Sequence, residues 1–394
     1  MNLLDICITV IIFLVGFNLK NLFSDFSSSE KRILNQLFFY HFAIAIGFHF
    51  YIYDFGGDAI YYWYAPRTMS LTEIMDLVKT GSASGVIYLI NYIPSNLMQL
   101  SFFTGNMIYA CLGYFGFLYI FKIIQYIFGD FSELKNLRIL RIRLFPWIWF
   151  LPNLHFWSSG IGKDTILFFS ISLFVYCLLN VKKRWIPWLV SIFLALLIRP
   201  HILLFLIVSF GIGYVFDGKL KNYQKAFIGF IFLVGFVLIF EYVLQFVQLE
   251  SLETSVIEEY ASTKASSLSK AGSGSGIDVS DYPFILKFFT FLYRPLFFDI
   301  NGILAVVASF ENLILLFFSI LVIRRKPLDA IKKSNFLIKG MIIYFLLGAV
   351  AFSLILGNLG IMLRQKNMFI PIFIVFGFSI IFSKNSKINN SSRL

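Results

Sequence analysis

Charge is scarce in this chain. Asp, Glu, Lys and Arg make up 14% of 394 residues, against 59% hydrophobic residues. A soluble protein of that length needs far more polar surface than this to stay dispersed, so the soluble globular class is excluded. Cysteine is scarcer still. Cys7, Cys111 and Cys177 each sit in an apolar run, at no spacing that binds a metal, so they read as packing residues and say little about redox compartment. A nucleotide phosphate loop is missing too: "GIGKDT" at 160–165 lacks the G-x-x-x-x-G-K-[ST] spacing, and no strand pattern precedes it. The N-terminus "MNLLDICITVIIFLVGFNLKNLF" has neither a basic leading region nor a small-residue cleavage site. It therefore reads as an anchor rather than a cleaved signal. No internal repeat and no soluble domain stand out.

What the sequence has is a series of apolar runs. A spanning helix needs roughly 20 apolar residues for a ~30 Å hydrocarbon core. Only helices and closed barrels satisfy the backbone in lipid, and these runs lack the alternation of barrel strands. The expected fold is all-α, a polytopic transmembrane helical bundle of about eleven spans forming one integral membrane domain over 1–394. The spans fall at 3–23, 33–53, 107–128, 144–157, 165–180, 185–198, 202–216, 226–247, 302–323, 340–357 and 369–383. The run 85–103, broken by Pro94, reads as a re-entrant or half-buried segment within a first long outer loop at 54–106. A second long outer loop runs over 248–301. Its stretch "SLSKAGSGSGIDVSD" (267–281) reads as flexible, and its flank 282–299 as an interfacial helix.

The net charge of +12 does not point to nucleic acid, since no stacking or groove-reading module is present. The lysines and arginines cluster instead in short loops such as "KNLRILRIR" (135–143), "KKR" (182–184), "KLKNYQK" (219–225) and "RRKPLDAIKK" (324–333). That is the positive-inside pattern, and it sets the N-terminus outside and the C-terminus inside. Lys122 alone lies within a span, near its inner end, where it is expected to snorkel.

This topology gathers the least expected charges on the outer face: Asp54, Asp58, Lys163, Asp164, Arg199, Arg294, Asp299 and Arg364. Charges at span ends are costly and often mark substrate pathways. Two roles are open for each. Asp164 suits the N-terminus of the following helix, where a carboxylate meets free N–H groups and the dipole. Lys163 is electrostatically disfavoured at such a start unless an anion is near. Arg199 and Arg294 each precede proline, which biases them toward extended backbone; they fit head-group anchoring or the oxygens of a phosphate. Asp58 follows two glycines and precedes aromatics Tyr61, Tyr62 and Trp63, which suit sugar stacking or an interfacial belt. Its carboxylate suits a general base toward an attacking hydroxyl, with His155, His201 or Asp164 as alternatives. Glu311 lies mid-span and is either functional or a helix-to-helix hydrogen bond.

In "GGDAIYYW" (56–63), "PNLHFWSSGIGKD" (152–164), "RPH" (199–201), "YRPLFFD" (293–299) and "LRQKNMFIP" (363–371) the chain resembles bacterial polytopic glycan polymerases and glycosyltransferases that use polyprenyl-linked sugars. These are the Wzy-like and EpsG-like proteins, with general features of the membrane-embedded GT-C superfamily. The likeness covers most of the chain as a topology. It departs from the GT-C pattern in carrying an extra span before the first outer loop, and in lacking an Asp-Glu pair there.

The resemblance implies inverting sugar transfer from a polyprenyl phosphate or pyrophosphate at the outer face of a bacterial inner membrane, in cell-surface polysaccharide assembly. Asp58 matches the essential acidic position of the first outer loop. Lys163, Arg199, Arg294 and Arg364 would offset charge on the departing phosphate. His155, Trp157 and Asp299 join Tyr61, Tyr62 and Trp63 as substrate-binding candidates. No cofactor is required, though a divalent metal is compatible. The expected partners are the lipid-linked sugar, membrane lipid and envelope glycan-assembly proteins. The competing class is a transporter or flippase of lipid-linked sugars, for which duplicated halves would be the expected sign.

Overall fold

The helices begin where the sequence supplies caps. Asn2 with Asp5 and Ser27 with Glu30 form reciprocal capping boxes at the starts of α1 (Leu3–Asn18) and α2 (Ser28–Phe55). Ser70 with Glu73 does the same for α4 (Leu71–Lys79), which follows α3 (Asp58–Thr68). Ser82 caps α5 (Ala83–Asn91), and Ser101 caps α6 (Phe102–Phe128). The chain continues through α7 (Pro152–Ser159), α8 (Lys163–Leu178) and α9 (Val181–Ile198). After α10 (Pro200–Val215) come α11 (Phe284–Tyr293), α12 (Ile303–Arg324) and α13 (Pro327–Lys333). The last are α14 (Phe336–Ile355), α15 (Leu359–Lys366) and α16 (Ile370–Phe382). Two-residue strands at Arg138–Ile139 and Ile142–Arg143 pair with each other. The computed structural model describes residues 2–131, 134, 138–139, 142–217, 221, 223–227, 229–230, 233–237, 275–279, 281–300 and 302–382.

Among the described residues, five helices are long and apolar enough to cross a membrane: Leu3–Leu22, Ser28–Phe55, Phe102–Phe128, Ile303–Arg324 and Phe336–Ile355. Two bent pairs raise the number to seven if each is one broken span: α7 with α8, bent by 105°, and α15 with α16, bent by 58°. This is a helical membrane protein, and the described residues account for five to seven of the eleven spans expected. The run 144–157 corrects that reading most clearly. Its apolar residues split into a 3-10 turn, Trp147–Phe150, and the eight-residue α7, because Pro146 and Pro152 lack the N–H that a continuous helix would need at their positions. The segment 85–103 is also no continuous helix: α5 passes into a π-helical turn at Tyr92–Leu97. The run expected at 226–247 and the loop at 248–274 fall mainly outside the described residues.

The chain divides into two compact units, one made of Met1–Arg138 and Arg143–Arg199, the other of Ile139–Ile142 and Pro200–Leu394. In the first, α6 is the central helix and packs on α1, α2, α7 and α8. It is buried along most of its length, and Phe117, Ile120, Phe121 and Ile124 are fully enclosed. Lys122 does not snorkel to water. Its ammonium pairs with Asp25 and lies over the Phe26 ring. In the second unit α14 is central, packing on α10, α11 and α16.

Gly113 shows how tightly α7 sits on α6. A Cβ there would collide with the Ser158 carbonyl oxygen. Gly113→Ala is therefore expected to lower stability by about 1–3 kcal/mol, because the neighbour is backbone and cannot rotate away. Thermal denaturation in detergent, compared with Gly47→Ala, where nothing lies within 4 Å, checks this. Equal melting temperatures would contradict the close approach.

Candidate functional site

In the first unit, α2 gives way to α3 at Gly56 and Gly57, whose φ angles of 78° and 151° suit glycine. Asp58 is the first residue of α3 and is exposed there, where a carboxylate is favoured by the helix dipole. Behind it α3 is fastened from below. Trp63 Nε1 donates to the Leu100 carbonyl at 3.0 Å, and the Asn91 amide donates to the Tyr62 carbonyl at 2.9 Å. Tyr109 in turn donates its hydroxyl to Asn91 at 3.0 Å.

The "SSGIGKD" stretch is the break between α7 and α8. Thr165 Oγ1 donates to the Gly160 carbonyl at 2.6 Å, and the Ile161 N–H donates to Asn106 Oδ1 at 3.1 Å. Those two bonds fix the turn from which Lys163 starts α8, with Gly162 at the N-cap and no side-chain cap there. A cation at a helix start is disfavoured by the dipole, and Lys163 is held against that tendency. Its Nζ donates to Ser84 Oγ at 3.1 Å and lies 5.5 Å from the centre of the Tyr62 ring.

Asp164 is buried one residue on, and Arg199 meets it at 3.3 Å. Because α8 and α9 form a hairpin closed at residues 179–180, the end of α9 must return to the start of α8. "KKR" (182–184) lies at the opposite end of that hairpin. The result is a cluster of two cations, one carboxylate and an aromatic ring, contributed by α3, α5, α8 and α9.

The other candidates of this unit are placed differently. Tyr61 is exposed, whereas Trp63 is fully enclosed, with its six-membered ring where a Cβ on Gly105 would lie. Trp63 offers no face to a sugar; it is a packing residue. His155 is also fully enclosed, and its Nδ1 lies 2.8 Å from Nδ1 of His41. This corrects its reading as a substrate contact. Trp157 is half-buried beside the Phe156 and Phe48 rings.

Arg294, Asp299, His201 and Arg364 belong to the second unit. Arg294, at the end of α11, grips Asp299 with two N–H groups, the Nε bond being 3.0 Å. The Leu296 N–H adds a bond of 2.9 Å to the same carboxylate. Burial works against the charge on Asp299, but the hydrogen bonds from Arg294 and Leu296 and the Arg294 charge outweigh it and hold the carboxyl below its usual range. Hydrogen bonding to Asp299 likewise holds Arg294 above its usual value against burial. A depressed carboxyl stabilises the folded state above the ordinary carboxylate range and loses that contribution as pH falls through its lowered value. The melting-temperature gap between the unaltered protein and Asp299→Asn should therefore be widest near pH 7 and close on acidification. A gap that widens toward acid would contradict the pairing.

Nearby in the same unit, Lys366 is 1% exposed, with its Nζ on Asn312 Oδ1 and 3.3 Å from the Leu292 carbonyl. Asn312 passes its own amide N–H to the Pro295 carbonyl at 2.7 Å. Glu311, buried on α12, supplies the opposing charge. Arg364 is half-buried in the last turn of α15, and His201 is half-buried on α10 with Phe352 beside its ring. The segment 275–279 does not run free as expected of the glycine- and serine-rich stretch: Ile277 and Leu359 exchange backbone bonds of 2.9 Å with Gly357 and Ser275 at the start of α15. Residues 267–274 of that stretch lie outside the described residues.

The residues that complete these clusters, Ser84, Asn106, Thr165, Asn312 and Lys366, were not singled out by sequence. Only Lys366 carried a signal, as a lysine beside an apolar run in "RQKNMFIP". Among the described residues no three His, Cys, Asp or Glu side chains group as metal ligands. Comparison with protein-family models, with curated proteins and with solved structures finds no match.

Proposed function

We propose that this chain is a membrane glycosyltransferase or oligosaccharide repeat-unit polymerase that acts on polyprenyl-(pyro)phosphate-linked sugars in cell-surface polysaccharide assembly. The observation that carries the reading is the start of α8, where Lys163 lies by the Tyr62 ring and Ser84 while the next residue, Asp164, pairs with Arg199. It is a net-cationic, partly desolvated and uncapped helix start beside an aromatic face. Those are the elements that favour a phosphate joined to a sugar. Its position opposite "KKR" on the α8–α9 hairpin supports an outward-facing site in a bacterial inner membrane, with the N-terminus outside and the C-terminus cytoplasmic.

In this reading Asp58 takes the proton from an acceptor hydroxyl. The acceptor oxygen attacks the anomeric carbon from the face opposite the phosphate. The bond from that carbon to the phosphate oxygen breaks, and its electron pair leaves on the phosphate. Lys163 and Arg199 stabilise the charge that develops there. Arg294 and Arg364 are the corresponding candidates of the second unit, with Arg294 already committed on one edge to Asp299. His201 and Asp164 are the alternative bases, and Tyr61, Tyr62, Trp157 and Asp299 the remaining substrate candidates. The reading needs no cofactor and accommodates a divalent metal. Its partners are the lipid-linked sugar, the surrounding lipid and other envelope glycan-assembly proteins.

One observation favours a second reading, a transporter or flippase of lipid-linked sugars. Lys366 and Glu311 are a basic and an acidic residue, both enclosed in the interior of their unit, a feature of ion-coupled pathways. The surface glycan of a strain lacking this protein separates the two. Loss of long chains with single repeats retained outside supports the polymerase, whereas accumulation of lipid-linked repeats inside supports the transporter.

A further inference from the structure

His41 on α2 and His155 on α7 are both fully enclosed, and all four of their ring nitrogens have a polar neighbour. The Nε2 of His41 lies 3.1 Å from the Ala110 carbonyl oxygen, and the Nε2 of His155 lies 2.7 Å from that of Trp149. A carbonyl oxygen only accepts, so each Nε2 must carry a proton to make its bond. Two neutral imidazoles have one N–H each, and both are then spent on the carbonyls. Yet the two Nδ1 atoms face each other at 2.8 Å. Two bare lone pairs at that distance repel. A hydrogen bond there needs a third proton.

We propose that His41 and His155 form a buried proton-binding site, in which one extra proton is shared between the two Nδ1 atoms and the pair carries a single positive charge. Burial opposes that charge, and the pair offsets the cost by satisfying every ring nitrogen at once. The rings are clamped in the required pose. Phe117 on α6 stacks on His155 at 4.5 Å with planes 13° apart, and the edge of Tyr40 on α2 closes the other side at 4.9 Å. On α7 the Ser158 hydroxyl is turned away, donating to Leu154. Tyr40 is a titratable side chain beside the pair on these elements. No metal fits between nitrogens this close, since each would need roughly 2.0 Å to the ion in a bent arrangement.

The ligand of the site is therefore a proton. Its release would set two lone pairs against each other across the contact that holds α7 to α2 and α6. Since α7 leads through the Gly160–Gly162 break directly into Lys163 and Asp164, the shared proton fixes the wall from which that cluster is hung. The proton count stands whether or not the cluster binds a lipid-linked sugar.

The test counts protons on the full chain in lipid nanodiscs, with histidine labelled at both ring nitrogens. Four histidines occur in the sequence, and His49→Gln with His201→Gln leaves the pair alone in the spectrum. At pH 7 the expected result is three protonated nitrogens out of four, with scalar coupling between the two Nδ1 atoms across the shared proton. Two protonated nitrogens, with one bare Nε2 facing its carbonyl, would overturn the proposal. If the double variant does not fold, the unaltered spectrum minus that of His155→Asn, in which His41 keeps one proton, leaves two protonated nitrogens, against one for a neutral pair. A second readout is stability. A folded state that binds one proton more than the unfolded chain loses about tenfold in its folding equilibrium per pH unit, over the range in which the pair keeps that proton and free histidine has lost its own. His155→Asn presents a neutral amide N–H to His41 Nδ1 and should flatten that slope; parallel slopes in the two proteins would count against the site.

Discussion

Asp58→Asn is expected to insert and fold as the unaltered protein does, to bind the lipid-linked donor normally, and to transfer sugar about 10²–10⁴-fold more slowly. The substitution keeps the shape of the side chain and most of its hydrogen bonding at the start of α3, but removes its basicity. Asp58 is exposed in the first turn, and the charge–dipole interaction lost there is about 0.3–1 kcal/mol. Lys163 and Arg199 are untouched, so KM for the donor should hold while kcat falls. Turnover near that of the unaltered protein would remove Asp58 as the base. Attention would then move to His201, which is half-buried, ahead of Asp164, whose carboxylate already engages Arg199.

Lys366→Met is expected to be the most destabilising single change, at about 3–5 kcal/mol. The amine it removes is enclosed and donates to Asn312 and to the Leu292 carbonyl, and Glu311 is the acidic group that acts on it electrostatically. The methionine fills similar volume, so the loss would come from charge and hydrogen bonding and not from a cavity. Asn312 would lose the contact that orients its amide toward Pro295, and the turn carrying Arg294 would loosen with it. A double-mutant cycle with Glu311→Gln isolates the electrostatic part: neutralising both groups should cost clearly less than the sum of the two single changes. Additive costs would mean that Glu311 and Lys366 do not sense each other.

How much of this was legible beforehand depended on local physics. The helical membrane class followed from the apolar runs. The meeting of "GKD" with "RPH" was also readable, because the turn between α8 and α9 is too short for anything but an antiparallel hairpin. The span at 144–157 misled, because hydropathy averages over a window and is blind to where proline interrupts the hydrogen-bond ladder. Trp63 looked like a sugar platform because an aromatic run is silent about which face it presents; α3 turns Tyr61 outward and Trp63 inward. The His41–His155 contact joins residues 114 positions apart, and no periodicity announces such a pair. Lys366 was overshadowed by Arg364, two residues before it, since a run of polar residues does not show which one the helix will bury.

The most direct test of the central claim is a reconstituted reaction. Purified protein in liposomes is given a polyprenyl-pyrophosphate-linked oligosaccharide and an acceptor, and the glycan and the lipid carrier are followed together. The account predicts extended glycan with stoichiometric release of the polyprenyl pyrophosphate carrier, suppressed in Asp58→Asn and in Lys163→Gln. Donor that crosses the bilayer with its sugar–phosphate bond intact, and no extended product at any enzyme concentration, would contradict it.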